Sequence, residues 1–315
     1  MLPHIHIGFF AIPSYSLMTL IGLIAFTVVT ILILEKKEKN PQYITNRLLI
    51  ISAFGFAAMA AGAFVLNSFF HSIAQKTIVF GGITWLGGVL VAFPVTIVLI
   101  HKFCPYVKGE ALEYFNFMIP GIVLAHGFGR IGCFLGGCCY GAQIDSIFSI
   151  SFPEGSLAAH TYPAASGGSL PVLPTQLFEA VFEFVLFIIL MILYKKLKNH
   201  FLEIYAIGYG IFRFSLEFLR GDDRGATGLV MTPSQLMSLI LMIGGVVVIL
   251  YNKNILFKKT RQKMASFKEE REAQPVYNGR TAKKLRELKS LLDDEIITQE
   301  EFESAKKELL EQFLK

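Results

Sequence analysis

The sequence predicts an all-α polytopic membrane protein: seven transmembrane helices with the N-terminus outside and the C-terminus inside, then a small cytoplasmic helical hairpin. Three observations predict it. The 315 residues are 53% hydrophobic and only 17% charged, more apolar and less charged than an ordinary soluble domain. The apolar residues fall in runs of about 20, the length that crosses a hydrocarbon core roughly 30 Å thick. The basic residues are sorted between alternate links, as the positive-inside rule requires.

The runs give spans at 14–34, 47–70, 82–100, 113–136, 176–195, 201–219 and 233–251. The links 35–46, 101–112 and 196–200 carry Lys36, Lys37, Lys39, Lys102, Lys108, Lys196 and Lys198, whereas 71–81, 137–175 and 220–232 carry only Lys76, Arg220 and Arg224. The first set therefore faces the cytoplasm. The 39-residue link 137–175 has no Lys or Arg, in keeping with an outer position. The first run lacks a basic leader and is long enough to span, so it is expected to serve as an uncleaved first helix.

Residues 1–252 thus form the membrane domain and 253–280 a basic linker. Lys253, Lys258, Lys259, Arg261 and Lys263 lie within eleven residues free of acids, a flank that anionic inner-leaflet lipid attracts. Pro275 and Gly279 break the polar stretch that follows. From 281 a helical hairpin is expected, with Leu285, Leu288, Leu291 and Leu292 on its first helix. Asp293 and Asp294 mark its turn, and Thr298 with Glu301 forms a capping box. Phe302, Ala305, Leu309 and Phe313 line the second helix. So short a hairpin buries little alone, so 281–315 is expected to associate with a second copy or a partner.

Ionisable residues inside the spans carry the functional signal, because burying charge in hydrocarbon is costly. At 1.5 Å per residue, Arg130 stands roughly 26 Å from the inner end of span four, in its outer third. Span six places Arg213 and Glu217 in its outer half, and span five presents Gln176, Glu179 and Glu183 early, at i, i+3 and i+7. His126 lies deeper than Arg130 on the same face, at i, i+4. Two buried arginines present planar forks suited to phosphate or carboxylate, and the nearest anion is an outer-leaflet phospholipid headgroup. The competing reading is structural: Arg213 pairs with Glu217 at i, i+4, and the acids of span five neutralise Arg130.

Around Arg130 runs GRIGCFLGGCCYG at 129–141. Gly129, Gly132, Gly136, Gly137 and Gly141 suit close helix packing or an unwound end. GGITWLGG at 81–88 puts Trp85 at an interface. Cys133, Cys138 and Cys139 with His126 match no standard zinc spacing, and neighbouring cysteines make a strained disulfide. Small apolar packing residues is the leading reading of the thiols, with no metal and no cofactor expected. Cys104 lies on the inner side. No nucleic-acid partner is expected.

The motifs GRIGCFLGGCCYG, PTQLFEA at 174–180, GYGIFRFSLEFLRGDD at 208–223 and SYSLMTLIG at 14–22 resemble, in order, those of the bacterial prolipoprotein diacylglyceryl transferases. The tail 284–310 resembles the short C-terminal domain known as SHOCT. The first resemblance implies an inner-membrane enzyme with seven spans. It would move a diacylglyceryl group from phosphatidylglycerol, or another anionic phospholipid, to the thiol of a prolipoprotein lipobox cysteine, releasing glycerol 1-phosphate. By that resemblance Arg130 and Arg213 hold the headgroup phosphate. Tyr15, Gln176, Glu179, Glu217 and Arg220 position substrate, and His126 is the available base. The chain departs from the family signature: Cys133 and Gly136 stand for its asparagines and Cys138 for its glutamate. Leu86 and Leu173 stand where histidine is usual. A second class therefore stays open, a non-catalytic protein that holds anionic lipid or a partner in the same pocket and oligomerises through its tail.

Overall fold

The computed structural model describes residues 4–7, 10–37, 41–80, 85–104, 110–222, 227, 230–253, 255–256, 262–263, 265–266, 279–294 and 296–314. A short antiparallel ribbon, β1 (His4–Ile7) paired with β2 (Phe10–Pro13), leads directly into α1 (Ser14–Lys37). There follow α2 (Pro41–Gln75), α3 (Trp85–Phe103) and α4 (Ala111–Gly136). The segment after α4 carries the five-residue α5 (Leu157–Thr161), then come α6 (Thr175–Ile192), α7 (Tyr194–Leu197) and α8 (Phe201–Leu216). A 3-10 turn (Glu217–Leu219) ends α8, and α9 (Pro233–Asn252) closes the apolar part.

Helices stand at all seven expected positions, and the ribbon, with isolated β-bridges after α4, is added to the all-α expectation among the described residues. The largest shift is in α2, which starts at Pro41 rather than 47 and ends at Gln75 rather than 70. Among the described residues, five helices are long and apolar enough to cross a membrane: Ser14–Lys36, Ile44–Gln75, Ala111–Gly136, Thr175–Ile192 and Pro233–Asn252. The apolar stretch Gly87–Phe103 and the 16-residue α8 are shorter. The chain is a multi-pass membrane protein.

The helix α4 is the axis. Its apolar window is 56% buried against 28–39% in the other four long helices, because α1, α6, α8 and α3 pack around it. Small residues allow this. A Cβ on Gly22 of α1 would come within 2.9 Å of the Ala125 carbonyl oxygen, and one on Gly132 within 3.2 Å of the Tyr15 Cα. Gly136 has nothing within 4 Å, so only the first glycine of the 132–136 pair serves contact between helices. Near the start of α4, Asn116 ties it to α8, its amide donating to the Lys198 carbonyl at 2.6 Å while its oxygen accepts from the Leu202 N–H at 2.9 Å.

The link 137–174 is a small folded head. Gly137, at φ +69°, caps α4 by donating to the Cys133 and Phe134 carbonyls. The head then pairs through bridges Gly141–Arg220, Gln143–Val172 and Ile150–Val172. Tyr140, Phe152, Ala158 and Val172 form its own core. The tail forms the expected hairpin, α10 (Gly279–Asp293) against α11 (Gln299–Leu314). Its capping box is present: Thr298 N–H donates to Glu301 Oε2 at 2.8 Å and Glu301 N–H to Thr298 Oγ1 at 3.3 Å. Lys39, Lys108, Arg224, Lys258, Lys259, Arg261, Pro275 and residues 81–84 lie outside the described residues, as do the side chains of Trp85, Leu86 and Phe313.

Candidate functional site

Four helices bring the expected ionisable residues into one buried network. On α4, Arg130 Nε lies 3.1 Å from Glu179 Oε1 of α6 and donates to His126 Nε2 at 3.2 Å. His126, 2% exposed, turns Nδ1 to Glu183 Oε1 at 2.6 Å. With Nε2 accepting from Arg130, the imidazole carries its proton on Nδ1, the nitrogen that faces Glu183. From α8, Tyr209 OH donates to the same Glu179 oxygen at 2.7 Å, and Tyr205 OH lies 3.3 Å from His126 Nδ1. Each group is fixed by helical spacing: His126 and Arg130, Glu179 and Glu183, and Tyr205, Tyr209 and Arg213 all repeat at four residues.

Arg213 continues the network on the same face of α8. Its Nη2 lies 2.7 Å from Glu217 Oε2 and donates to Ser234 Oγ at 2.9 Å. Thr232 donates to Glu217 Oε1 at 2.9 Å and also caps α9 in a capping box with Gln235. The structural pairings weighed from sequence therefore both exist, Arg130 with Glu179 and Arg213 with Glu217. They leave capacity over. Arg213 Nη1 has no hydrogen-bond partner among the described residues, and Arg130 Nη1 meets only the Cys133 sulfur, at 4.0 Å. A buried, unpaired N–H of a charged group is costly, on the order of 1–3 kcal/mol or more, so these N–H groups have capacity for a further acceptor.

Beside Arg130 the end of α4 folds into a thiol turn. Cys139 takes a left-handed φ of +63°, and the sulfurs of Cys133, Cys138 and Cys139 lie within 4.8 Å of one another. The first residues of α6 hold this turn: Gln176 Nε2 donates to the Cys138 carbonyl at 2.6 Å and Thr175 Oγ1 to the Cys139 carbonyl at 3.0 Å. Hydrogen bonds from Cys133 and Cys138, with Arg220 and Arg130 nearby, hold the Cys139 thiol well below its ordinary value. The Cys138 bond to Cys133 pulls its thiol down, but Cys139, burial and the Cys139 charge push it up to about 12. Arg220 forks onto Asp222, Nε to Oδ1 at 2.8 Å and Nη2 to Oδ2 at 2.7 Å, with Nη1 unpartnered among the described residues. Burial pushes the Asp222 carboxyl up to about 6 against the pull of Arg220.

The expected site residues fall into two groups. Arg130, His126 and Glu179 form one centre with Tyr209, and Arg213 with Glu217 adjoins it. Gln176, Arg220 and Tyr15 gather at the thiol turn instead; Tyr15 is 39% exposed, beside Gly132 and within electrostatic reach of all three cysteines. As a base for an incoming thiol His126 fails on geometry, since both ring nitrogens are engaged. Tyr205, Tyr209, Thr232 and Ser234 were not among the expected residues. The two tyrosines share the four-residue repeat that ends at Arg213, which is the signal that finds them. Nothing local marks Ser234, which reaches the site only through the packing of α9 on α8.

Below the polar centre lies an apolar cavity of about 220 Å³ among α1, α2, α3, α4, α8 and α9. Phe26, Phe93, Met118 and Leu241 line it, and Tyr205 joins it to the His126 network. Buried guanidiniums beside an apolar cavity, in a bundle of apolar helices, define an integral membrane protein with a polar centre inside its bundle.

The chain belongs to the prolipoprotein diacylglyceryl transferase family, a family of transferases, whose sequence model matches residues 3–251; a second model, of the short C-terminal domain, matches 283–310. Over 149 residues it is 45% identical to phosphatidylglycerol--prolipoprotein diacylglyceryl transferase 2 of Clostridium perfringens, covering 47% of this chain and 54% of that protein. It is 30% identical over 256 residues to transferase 1 of the same species, and 26% identical over 249 residues to the Clostridium tetani transferase. Those alignments cover 78% and 75% of this chain and 91% of each relative. The chain thus spans about half the length of the first relative and nine tenths of the other two.

Proposed function

We propose that the chain transfers a diacylglyceryl group from phosphatidylglycerol to the lipobox cysteine of a prolipoprotein, releasing glycerol 1-phosphate, in the bacterial cytoplasmic membrane. The observation that carries the reading is the unspent capacity of Arg130 and Arg213, buried donors that their acidic partners do not exhaust. In this reading all seven helices cross the bilayer, N-terminus outside. Residues 1–252 form the catalytic domain, 253–280 the basic linker and 281–315 a module for self-association.

The donor lipid sits with its phosphate against Arg130 and Arg213 and an acyl tail directed toward the apolar cavity. Carbon–oxygen cleavage then places charge on the departing phosphate, where fixed guanidiniums in a low dielectric stabilise it without reorganising. Glu179, gripped by Arg130 and Tyr209, and Glu217, gripped by Arg213 and Thr232, hold the two forks in register. His126 is a positioning residue that orients Arg130 through Nε2 and faces Glu183 with Nδ1. Tyr15, Gln176 and Arg220 flank the thiol turn, where the acceptor peptide approaches from the outer face.

One observation favours a second reading, a protein that binds anionic lipid or a partner without transferring it: Cys133, Gly136 and Cys138 replace polar signature residues, and Leu86 and Leu173 the usual histidines. Expression in cells depleted of their own transferase separates the two. Lipidation of a reporter lipoprotein, lost in Arg130→Ala, supports transfer; no lipidation by well-expressed wild-type protein leaves only the binding reading.

A further inference from the structure

We propose that Cys133, Cys138 and Cys139 form a three-thiolate site for a soft divalent cation, Zn2+ by its chemistry, whose open fourth position takes the acceptor thiol. The metal site stands on geometry; its role with the acceptor rests on the transferase reading.

Zinc–sulfur bonds of about 2.3 Å in a tetrahedron put sulfurs about 3.8 Å apart, and the three sulfurs here already lie within 4.8 Å. Convergence of neighbouring side chains is not a default. Along an extended chain they point to opposite faces, and Cys138 and Cys139 meet because Gly137 and then Cys139 turn left-handed. Left-handed φ is uncommon outside glycine. The turn is also held from behind, by Gln176 on the Cys138 carbonyl and Thr175 on the Cys139 carbonyl, so the ligands are arranged before any ion arrives.

Charge and count agree. Three thiolates and a dication leave one negative charge, which faces Arg130, 4.0 Å from the Cys133 sulfur, and Arg220, within electrostatic reach of Cys139. Three sulfurs exceed what a disulfide uses, and three protein ligands with one vacant position is the arrangement of zinc sites that do chemistry. Cys138 and Cys139 are only half-buried, so the vacant position is reachable.

The site supplies what His126 does not. A thiol of ordinary pKa, about 8.5, is mostly protonated at neutral pH, and a coordinating thiol is deprotonated outright. The acceptor RS–H loses its proton to water on binding as RS−. Its sulfur attacks the glyceryl carbon, forming the C–S bond as the C–O bond breaks. The phosphate leaves with the electron pair onto Arg130 and Arg213, and the product thioether, a weak neutral ligand, departs.

The test is a titration of the reduced full-length chain, in phospholipid nanodiscs, with Co2+ as the probe for zinc. One equivalent should produce a sulfur-to-cobalt charge-transfer band, displaced by Zn2+ and retained in Cys104→Ala. Cys133→Ser, Cys138→Ser and Cys139→Ser should each weaken binding by about tenfold or more. A lipobox-cysteine peptide should intensify the band and its serine analogue should not. In unaltered protein, needing no variant to fold, Zn2+ should slow maleimide labelling of Cys138 and Cys139. Absence of the band and of this protection overturns the metal site and leaves the transferase reading to the lipidation assay. A band indifferent to the cysteine peptide overturns the acceptor role alone.

Discussion

Arginine in place of lysine at positions 130 and 213 is a choice of geometry as well as charge. Arg130 meets Glu179 through Nε and Arg213 meets Glu217 through Nη2, which leaves further donors in a fixed plane that a single ammonium lacks. Arg213→Lys should therefore keep the ion pair with Glu217 but lose the free donor. Reporter lipidation is expected to fall by about a hundredfold or more, while the amount of protein in the membrane stays at the wild-type level. His126 calls for a different measurement. If it only holds Arg130, His126→Gln should lower the transfer rate and leave the shape of the pH–rate profile intact. Loss of an inflection near neutral pH would return it to the role of base.

At the scale of elements, the site depends on how closely α1 and α4 approach and on where the head anchors the turn after α8. A side chain at Gly22 meets the Ala125 carbonyl, whereas Gly136 faces open space. Gly22→Val is expected to lower the melting temperature through overpacking of about 1–3 kcal/mol, and Gly136→Ala to leave it unchanged, both read in detergent by differential scanning fluorimetry. The Gly141–Arg220 bridge joins the end of α8 to the head, and Arg220 there forks onto Asp222. Its carboxyl is raised to about 6 by burial, so the pair is charged above that pH and loses its anion as the pH falls through it. Activity profiles of wild type and Asp222→Asn should differ at pH 7 to 8 and converge below pH 6.

For the whole molecule, the tail and the membrane part are expected to be separable. Truncation after residue 252 should leave lipidation and membrane insertion in place while reducing the oligomeric mass measured by light scattering; an unchanged mass would remove self-association from 281–315. The positions of all seven apolar helices and of the tail hairpin were legible in the sequence, because span length, hydropathy and capping are properties of local runs. So was the shared depth of Arg130, Arg213, Glu179 and Glu217, since helical rise converts residue number into height. Depth says nothing about rotation. Which carboxylate meets which guanidinium, that Tyr209 and Ser234 complete the centre, and that both nitrogens of His126 are occupied depend on how α4, α6, α8 and α9 are turned against one another. The thiols show the same division. Their number and neighbourhood could be read along the chain. Their convergence on one point came from two successive left-handed turns and from α6 holding the backbone behind them, contacts between residues more than thirty positions apart that no local pattern encodes.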